Sequence, residues 1–347
     1  MSDTMKALVL EEYSKLVYKE MPVPEIGENE VLVQVKACGI CGSDVHGMDG
    51  SSGRRHPPLI MGHEASGIIV QRGERVNDFF KGDRVTFDST IYCGTCFYCR
   101  QGIINLCDNR RVLGVAPAEY RQHGAFAEYV AVPEHILYRL PDGLSFAQAA
   151  MVEPVSIAFH AVTLTPVSLN DSAVVIGAGM VGLFVIQALR AAGCGTIIAV
   201  DLEQSKLDLA RELGADHGLL ANAVDVAEEV RKLTDNRGAN LAVEVVGNSV
   251  ALNTAIASLR KGGALTIVGN LAATVDFPLQ EVVTRQIRVT GSCSSCGEYP
   301  ACLEMIARGT VNVDALISQV APLSEGAAWF ERLHNREQGL MKVILTP

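Results

Sequence analysis

The stretch that most constrains the fold is a glycine-rich turn between a short apolar run and a helical pattern. Residues 173–176 are apolar and β-branched, the turn Gly177-Ala-Gly179-Met-Val-Gly182 follows, and apolar residues then recur at helical spacing over 183–192. Glycines at this spacing allow a tight turn, close approach of the backbone to a pyrophosphate, and close packing of the helix on the strand. The sequence therefore predicts a strand–turn–helix unit that binds a dinucleotide.

The acidic residue at the end of the next predicted strand indicates which dinucleotide is bound. Residues 196–200 form a second apolar run, which ends at Asp201. The carboxylate of Asp201 would accept hydrogen bonds from the adenosine ribose and repel a 2′-phosphate, which favours NAD over NADP. Backbone N–H groups of Met180 and Val181 would meet the phosphates, and Lys206 is a further candidate ribose contact. The alternative is a glycine turn without a ligand, against which the flanking strands, helix and acid argue together.

Strands and helices alternate through this half of the chain. The alternation predicts a doubly wound parallel sheet, and therefore an α/β fold. Strands are predicted at 173–176, 196–200, 241–246, 264–268 and 287–290, and helices at 183–192, 205–213, 226–234 and 250–260. We expect 155–292 to form this Rossmann domain. We place the strand 264–268 near a sheet edge, where it could extend the sheet into a second subunit.

The amino-terminal part of the chain has a different pattern. Proline and glycine interrupt short apolar runs, which predict strands at 6–10, 31–37, 67–70, 84–87 and 127–132. The carboxyl-terminal residues 293–347 contain one or two predicted helices and a closing strand at 341–345. That segment is too short for a third domain, so we expect 1–154 and 293–347 to form one β-rich domain.

Four closely spaced cysteines give the strongest local signal, and they are Cys93, Cys96, Cys99 and Cys107. Four thiolates can complete a tetrahedral zinc site and leave no position for a substrate, which is typical of a structural site. An iron–sulfur cluster also uses closely spaced cysteines. Polar neighbours such as Thr95 argue against unliganded core thiols. We interpret the four cysteines as ligands of a structural zinc.

A second set of metal-binding residue types is scattered along the chain. Cys41, the pair His63-Glu64 and Glu153 lie in separate segments. A Cys, His and Glu set that leaves one position open is typical of catalytic zinc. A Gly-His-Glu sequence alone is more often a turn, and Cys38 with Cys41 forms a C-x-x-C pair that suggests thiol redox chemistry. The residues after that pair do not predict the helix such a motif opens, so we interpret Cys38 as a buried thiol.

Taken in order along the whole chain, these features resemble the zinc-containing medium-chain dehydrogenases. Within that family they are similar to the polyol dehydrogenase branch, which includes sorbitol and galactitol-1-phosphate dehydrogenase-like members. The resemblance implies a GroES-like β-rich catalytic domain joined to a Rossmann domain, with a catalytic metal in the cleft between them. It also implies two Zn²⁺ per chain and hydride transfer from a secondary alcohol of a polyol or polyol phosphate to NAD, giving a ketose.

The resemblance assigns the metal ligands residue by residue. Cys41 and His63 would bind the catalytic zinc, and Glu64 would be a ligand or an exchangeable partner. Glu153 stands where the polyol dehydrogenases have a glutamate and the alcohol dehydrogenases proper have a cysteine. The choice of branch depends on that residue.

The resemblance also implies a proton relay and further cofactor contacts. Ser43 and His46 match the relay positions, which would lead the alcohol proton out through the cofactor ribose. Asp44 would orient the imidazole of His63. The cofactor contacts expected beyond the glycine turn, Asp201 and Lys206 are Val246, Val268, Gly269, Asn270, Cys293 and Ser294.

Two substrate-binding positions depart from the branch. Ser294 and Ser295 replace an Arg-Tyr pair that grips sugar hydroxyls, and Gly47 replaces a tyrosine often found after the relay histidine. Other substrates of the family therefore stay open beside hexitols and pentitols: polyol phosphates, sugar acids, small diols and threonine. A phosphorylated or acidic substrate would need a cation, for which the candidates in loop-like segments are Arg54, Arg55, Arg110, Arg111 and Arg121.

Composition argues against other classes of partner. The 347 residues carry a formal net charge of −10, which does not suit nucleic acid or an anionic membrane. Neither a membrane-spanning run nor a signal peptide is predicted. We expect a cytoplasmic enzyme that acts on a small polyol-like molecule, with no nucleic-acid or membrane partner, as a homodimer or homotetramer. A non-catalytic NAD-binding protein is the alternative, and the filled ligand positions argue against it.

Overall fold

A computed structural model of the chain describes residues 3–115 and 122–347. The chain divides into two compact units, the first Met1–Glu153 with Tyr299–Pro347 and the second Pro154–Glu298. Residues 293–298, which we expected in the first domain, therefore fall in the second unit. Among the described residues, no helix combines the length and the apolar character needed to cross a membrane.

The amino-terminal part of the first unit consists mainly of short strands. They are β1 (Thr4–Glu12), β2 (Lys15–Pro22), β3 (Glu30–Gly39), β4 (Leu59–Ile60), β5 (Glu64–Arg72), β6 (Arg84–Phe87), β7 (Thr90–Ile91), β8 (Arg111–Val112), β9 (Tyr129–Pro133) and β10 (Leu137–Arg139). The helices are α1 (Gly42–Gly47), α2 (Phe97–Arg100) and α3 (Phe146–Ala150). Every strand predicted here overlaps an observed one. Strand β2 was not predicted, because its side chains are all exposed or half-buried and form no strong apolar pattern. The short strands β4, β7, β8 and β10 were not predicted either.

The second unit is built on a parallel sheet. After α4 (Val152–Leu164), its strands are β11 (Ser172–Ile176), β12 (Thr196–Asp201), β13 (His217–Leu220), β14 (Ala239–Glu244), β15 (Leu259–Ile267) and β16 (Arg288–Gly291). Its helices are α5 (Met180–Ala191), α6 (Gln204–Glu212), α7 (Val226–Lys232), α8 (Ser249–Ser258) and α9 (Leu279–Thr284). The strand order is β13-β12-β11-β14-β15-β16, with every pair parallel. The predicted α/β fold with a Rossmann sheet is confirmed.

Two details of this sheet differ from the expectation. Strand β15 has a neighbour on each side, since β16 adds beyond it, so β15 has no free edge to extend into another subunit. Strand β13 was not predicted, because its four residues are all only half-buried and include Gly218. Continuous apolar runs mark only the strands that are covered on both faces, such as β11 and β12.

The carboxyl-terminal segment completes the first unit. Its elements are α10 (Tyr299–Ala307), β17 (Ile317–Pro322), α11 (Gly326–His334) and β18 (Lys342–Thr346). Strand β18 pairs antiparallel with β3 and parallel with β17, within a sheet ordered β10-β6-β5-β3-β18-β17, and β9 also pairs with β3. The end of the chain is therefore part of the sheet that carries Gly39 and, just beyond it, Cys41.

An aromatic pair ties this segment into the core of the first unit. The rings of Phe126 and Phe330 are packed edge to face, with centroids 5.6 Å apart, and both side chains are fully buried. Phe330 lies on α11 beside Trp329, the single tryptophan of the chain. Fluorescence of Trp329 therefore reports on the unfolding of this segment.

Replacement of Phe330 tests whether the carboxyl-terminal segment stabilises the first unit. We expect Phe330→Ala to lower the free energy of unfolding by about 3–5 kcal/mol, the usual cost of a large cavity in a packed core. The measurement is urea unfolding followed by Trp329 fluorescence. Phe277→Ala removes a ring that is 42% exposed, and it should change the midpoint little. Equal midpoint shifts for the two variants would contradict this role for α11.

Candidate metal and cofactor sites

The first candidate metal centre begins where β3 ends. Cys41 is the residue immediately before α1, and its sulfur accepts hydrogen bonds from the backbone N–H of Ser43 at 3.4 Å and from Ser43 Oγ at 3.2 Å. The sequence analysis expected no helix after the C-x-x-C pair, and that expectation was wrong, because the Cys41 thiol caps a short helix. Cys38 is buried, as expected, and burial raises the pKa of its thiol well above the usual value. A thiol held neutral in this way is a poor nucleophile for redox chemistry.

The register of the sheet brings the other ligand types to Cys41. Strand β5 runs antiparallel to β3, with Glu64 directly opposite Gly39, so His63 and Glu64 enter the sheet beside the end of β3. The ligand atoms of Cys41, His63 and Glu64 all lie within 4.8 Å of one another. Glu64 Oε1 is buried and has no hydrogen-bond partner among the described residues. A thiolate, an imidazole and a carboxylate at such distances fit a zinc ion.

Glu153, the fourth expected ligand, is half-buried at the start of α4 and lies outside that close group. Burial raises the pKa of its carboxyl group to about 8, the charge of Glu64 adds to the shift, and His63 acts in the opposite direction. Glu153 is therefore electrostatically coupled to the group without being part of it. A cation bound near His63 and Glu64 would favour its ionised form.

Lys342 on β18 neutralises Glu64. Both side chains are fully buried, and Lys342 Nζ lies 2.5 Å from Glu64 Oε2 and 3.0 Å from the carbonyl oxygen of Ile40. Burial acts to lower the pKa of Lys342, but Glu64, Cys41 and Glu153 together outweigh it and the net shift is upward. Lys342 was not among the expected site residues. Its one signal was a lysine at the start of an otherwise apolar strand.

Asp44, on α1, lies close to the imidazole of His63. Its Oδ2 lies 3.4 Å from His63 Nδ1, and its Oδ1 accepts a hydrogen bond from Arg55 Nη2 at 2.6 Å. Burial acts to raise the pKa of Asp44, but His63 and Arg55 hold it well below the usual range. Burial acts to lower the pKa of His63, but Asp44 and Cys41 raise it well above its usual value. The imidazole is thus held between a carboxylate and a thiol.

The two expected relay residues lie on α1. Ser43 is exposed and donates a hydrogen bond to the Cys41 sulfur. His46 is exposed in the last turn of the helix. Their spacing of three residues places them on the same side of a helix. Both positions are open to solvent, as a relay that releases a proton requires.

The four-cysteine segment forms a second compact group. The sulfur atoms of Cys93, Cys96, Cys99 and Cys107 lie within 4.8 Å of one another. Hydrogen bonds from Thr95 lower the pKa of Cys93 to about 5, whereas burial and contact with Cys96 raise the pKa of Cys99 to about 12. Four thiolates so close together repel one another unless a cation lies between them. The arrangement therefore fits one tetrahedral zinc ion.

The candidate dinucleotide site lies in the second unit, at the carboxyl end of β11. Gly177 has a left-handed φ of 100°, and a Cβ on Gly182 would collide with the carbonyl oxygen of Gly177. A Cβ on Gly179 would meet no protein atom within 4 Å, so this position is open to a ligand. The first backbone bond of α5 runs from the Leu183 N–H to the Gly179 oxygen, which leaves the earlier N–H groups, including those of Met180 and Val181, without an acceptor inside the helix.

Asp201 closes this turn from the end of β12. Its Oδ2 accepts a hydrogen bond from the Ala178 N–H at 2.7 Å, and its Oδ1 accepts bonds from the N–H groups of Leu202 and Glu203. Lys206 Nζ lies 4.0 Å from Asp201 and 2.7 Å from Glu203. Asp201 thus stands beside the glycine turn with a charge that Lys206 only partly compensates.

The remaining cofactor candidates follow the carboxyl ends of later strands. A buried glutamate, Glu244, organises the first of them: its Oε1 accepts the N–H groups of Val246 and Gly247, and its carbonyl oxygen accepts those of Val268 and Gly269. Asn270 follows these residues after β15, and Cys293 and Ser294 follow β16. All of them lie in the unit that carries the glycine turn. The sequence analysis did not identify Glu244.

The arginines expected to bind an acidic substrate have different environments. Arg55 is 2% exposed and paired with Asp44, so it is not available to a ligand in solution. Arg110 donates to the carbonyl oxygen of Asn105 at 2.9 Å. Arg54 and Arg111 are exposed, and Arg121 lies outside the described residues.

Two family models match this chain. The alcohol dehydrogenase GroES-like domain matches residues 27–142, and the zinc-binding dehydrogenase domain matches residues 180–308. The first match contains three of the expected catalytic-zinc positions and all four clustered cysteines. The second begins within the glycine turn.

Individual relatives match along nearly their full length. Sorbitol dehydrogenase from Bacillus subtilis is 35% identical over 99% of this chain and 97% of its own. D-arabitol-phosphate dehydrogenase from Enterococcus avium is 33% identical over 96% and 95%. A solved zinc-binding dehydrogenase from Sinorhizobium meliloti, bound to NADP, has a TM-score of 0.92 and 31% identity, with both chains fully covered. Because these similarities extend along nearly the whole chain and include both units, the chain belongs to the zinc-containing medium-chain alcohol dehydrogenase family.

Proposed function

We propose that this protein oxidises a secondary hydroxyl of a polyol or polyol phosphate to a ketone, with NAD as the hydride acceptor. The carbinol C–H bond supplies the hydride to the nicotinamide, the hydroxyl supplies the proton that is released, and the products are a ketose, NADH and H⁺. The observation that carries the proposal is the close group of Cys41, His63 and Glu64, in which the buried Glu64 Oε1 has no hydrogen-bond partner among the described residues. The named sorbitol and arabitol-phosphate dehydrogenase relatives supply the substrate class.

We assign separate roles to the residues of the first unit. Cys41 and His63 would hold the catalytic zinc, with Glu64 or Glu153 as the further ligand, and the four clustered cysteines would hold a structural zinc. When bound, the catalytic ion acts as a Lewis acid that lowers the pKa of the substrate hydroxyl. Ser43 would take up the hydroxyl proton as it gives up its own, and the relay would run through the cofactor ribose to His46, which is exposed one turn later and would release a proton to solvent. Asp44 keeps the His63 ring in place from behind.

In the second unit the glycine turn would hold the pyrophosphate of the cofactor, and Asp201 would hold the adenosine ribose. We propose NAD although the Sinorhizobium meliloti neighbour is bound to NADP. A 2′-phosphate would lie against the Asp201 carboxylate, and the nearest lysine, Lys206, is already paired with Glu203. We also propose that the protein forms a homodimer or homotetramer, as the resemblance to its family implies, and that it acts in the cytoplasm.

Metal content together with activity tests the two zinc sites. We expect about two zinc ions per chain, and about one in Cys41→Ala. We also expect kcat/KM for the best polyol to fall by about a hundredfold or more in that variant, because a bound Lewis acid supplies several kcal/mol of charge stabilisation. Cys38→Ala removes the neighbouring thiol, which is not part of the group, and should keep both ions. Full zinc content in Cys41→Ala would exclude the proposed ligand set.

The substrate class is tested by NADH formation with sorbitol, xylitol, their phosphate esters, 2,3-butanediol, a sugar acid and threonine. We expect the highest kcat/KM with a polyol or polyol phosphate, and complete loss of activity after chelation. Preference for a short diol would replace the polyol proposal with that of a small secondary-alcohol dehydrogenase. Absence of NADH formation with every compound would contradict the proposed reaction.

Cofactor preference is tested at Asp201. We expect the wild type to prefer NAD over NADP by at least about tenfold in kcat/KM, equivalent to about 1.4 kcal/mol. Asp201→Asn keeps the size of the side chain and removes its charge, so the ratio should shift towards NADP by a similar factor. Asp208→Asn makes the same charge change on an exposed residue of α6 and should leave the ratio unchanged. A wild-type preference for NADP would contradict the role given to Asp201.

A further inference from the structure

One buried guanidinium lies behind the candidate catalytic centre. Arg55 is 2% exposed. Its Nη2 donates to Asp44 Oδ1 at 2.6 Å and to Ser43 Oγ at 3.2 Å, and its Nε donates to the same Asp44 oxygen at 3.2 Å. The sequence had suggested a loop cation for a phosphorylated substrate. The structure places this charge inside the protein instead.

Two side chains accept hydrogen bonds from Arg55, and each of them lies against a different metal-binding residue. Asp44 Oδ2 lies 3.4 Å from His63 Nδ1, and Ser43 Oγ donates to Cys41 Sγ at 3.2 Å. The guanidinium of Arg55 is therefore connected to the imidazole of His63 through Asp44, and to the sulfur of Cys41 through Ser43. Groups that hold metal ligands from behind fix their orientation, and their removal typically costs about 10–100-fold in metal affinity or activity.

The glycine at position 47 is part of the same feature. A Cβ on Gly47 would lie 2.7 Å from Arg55 Cγ and 3.2 Å from Ser52 Oγ, so any side chain there would displace the arginine. Position 47 is also where the polyol branch often has a tyrosine. Arg55 can therefore occupy its buried position because residue 47 has no side chain.

The charges explain why the arginine stays buried. Asp44 is fully buried, and a buried carboxylate without a partner is strongly unfavourable. The fork of the guanidinium meets Asp44 through two nitrogens and still reaches Ser43. A lysine would supply the charge as a single compact group without that fixed fork.

We propose that Arg55 is a positioning residue for the catalytic zinc site, which holds His63 through Asp44 and Cys41 through Ser43, and that Gly47 is required to admit it. The proposal rests on the zinc-dependent function above. It assigns Arg55 no contact with substrate, cofactor or metal.

The test measures how tightly the metal is held rather than activity alone. Zinc release to a colorimetric chelator is followed over time, and the cobalt-substituted protein is examined for its thiolate-to-metal charge-transfer band. We expect Arg55→Met to release one zinc about 10–100-fold faster than the wild type and to shift the cobalt band. Arg55→Lys should recover part of this loss, because a lysine can pair with Asp44. Arg75→Met removes an exposed arginine that pairs with Glu28 and should match the wild type.

Gly47→Ala tests the same arrangement without altering any charge. Alanine normally stabilises a helix relative to glycine, so a purely structural view predicts slower metal release. We expect faster release, because the new methyl group pushes Arg55 away. Gly42→Ala, on the same helix, would meet no protein atom within 4 Å and serves as the matched control. If Arg55→Met fails to fold, as judged by loss of the structural zinc, the release rates of Gly47→Ala and Arg55→Lys test the proposal instead.

Wild-type release rates and unchanged cobalt spectra in Arg55→Met and Gly47→Ala would overturn the proposal and leave the proposed function intact. Release of only one zinc from the wild type, with no charge-transfer band that depends on Cys41, would instead overturn the proposed function and this inference with it. The two failures are therefore distinguishable.

Discussion

The pairing of β3 with β5 on one side and with β18 on the other is the constraint on which the first unit depends. Glu64 stands opposite Gly39, and Ile344 pairs with Gly39 from the far side. Three segments that are far apart in sequence thus meet at the carboxyl end of one strand. A shift of either pairing by one residue would turn its side chains to the opposite face of the sheet. The close group of ligand atoms is a consequence of this register.

Buried charge is the second constraint, and the structure satisfies it in pairs. Glu64 is matched by Lys342, and Asp44 is matched by Arg55 and faces His63. Lys342 pairs with Glu64 Oε2, and Arg55 pairs with Asp44 Oδ1, whereas Asp44 Oδ2 faces His63. Charges removed from water in this way are retained only when their partners are well placed. The surroundings of the candidate metal centre are therefore as specific as its ligands.

The second unit depends on close contact between backbones. Gly182 packs on the Gly177 carbonyl, and a Cβ on Gly247 would lie 2.5 Å from the Asn270 nitrogen. Glu244 joins the turns after β14 and β15 by accepting N–H groups from both. These contacts lie at the carboxyl ends of the strands, which is where parallel sheets bind nucleotides, and a Cβ on Gly179 there would meet no protein atom within 4 Å.

The fold class, the positions of most longer strands along the chain and the residue types of both metal groups could be predicted from local sequence patterns. This was possible because buried parallel strands, glycine turns and clustered cysteines leave such patterns. The sequence could not determine that Lys342 meets Glu64 or that Arg55 is an internal cation. Contacts between residues that are distant in sequence leave no local pattern. An arginine in a loop-like segment has the same sequence context whether it is exposed or buried. Only tertiary packing, which decides where water is excluded, determined which charges had to be paired.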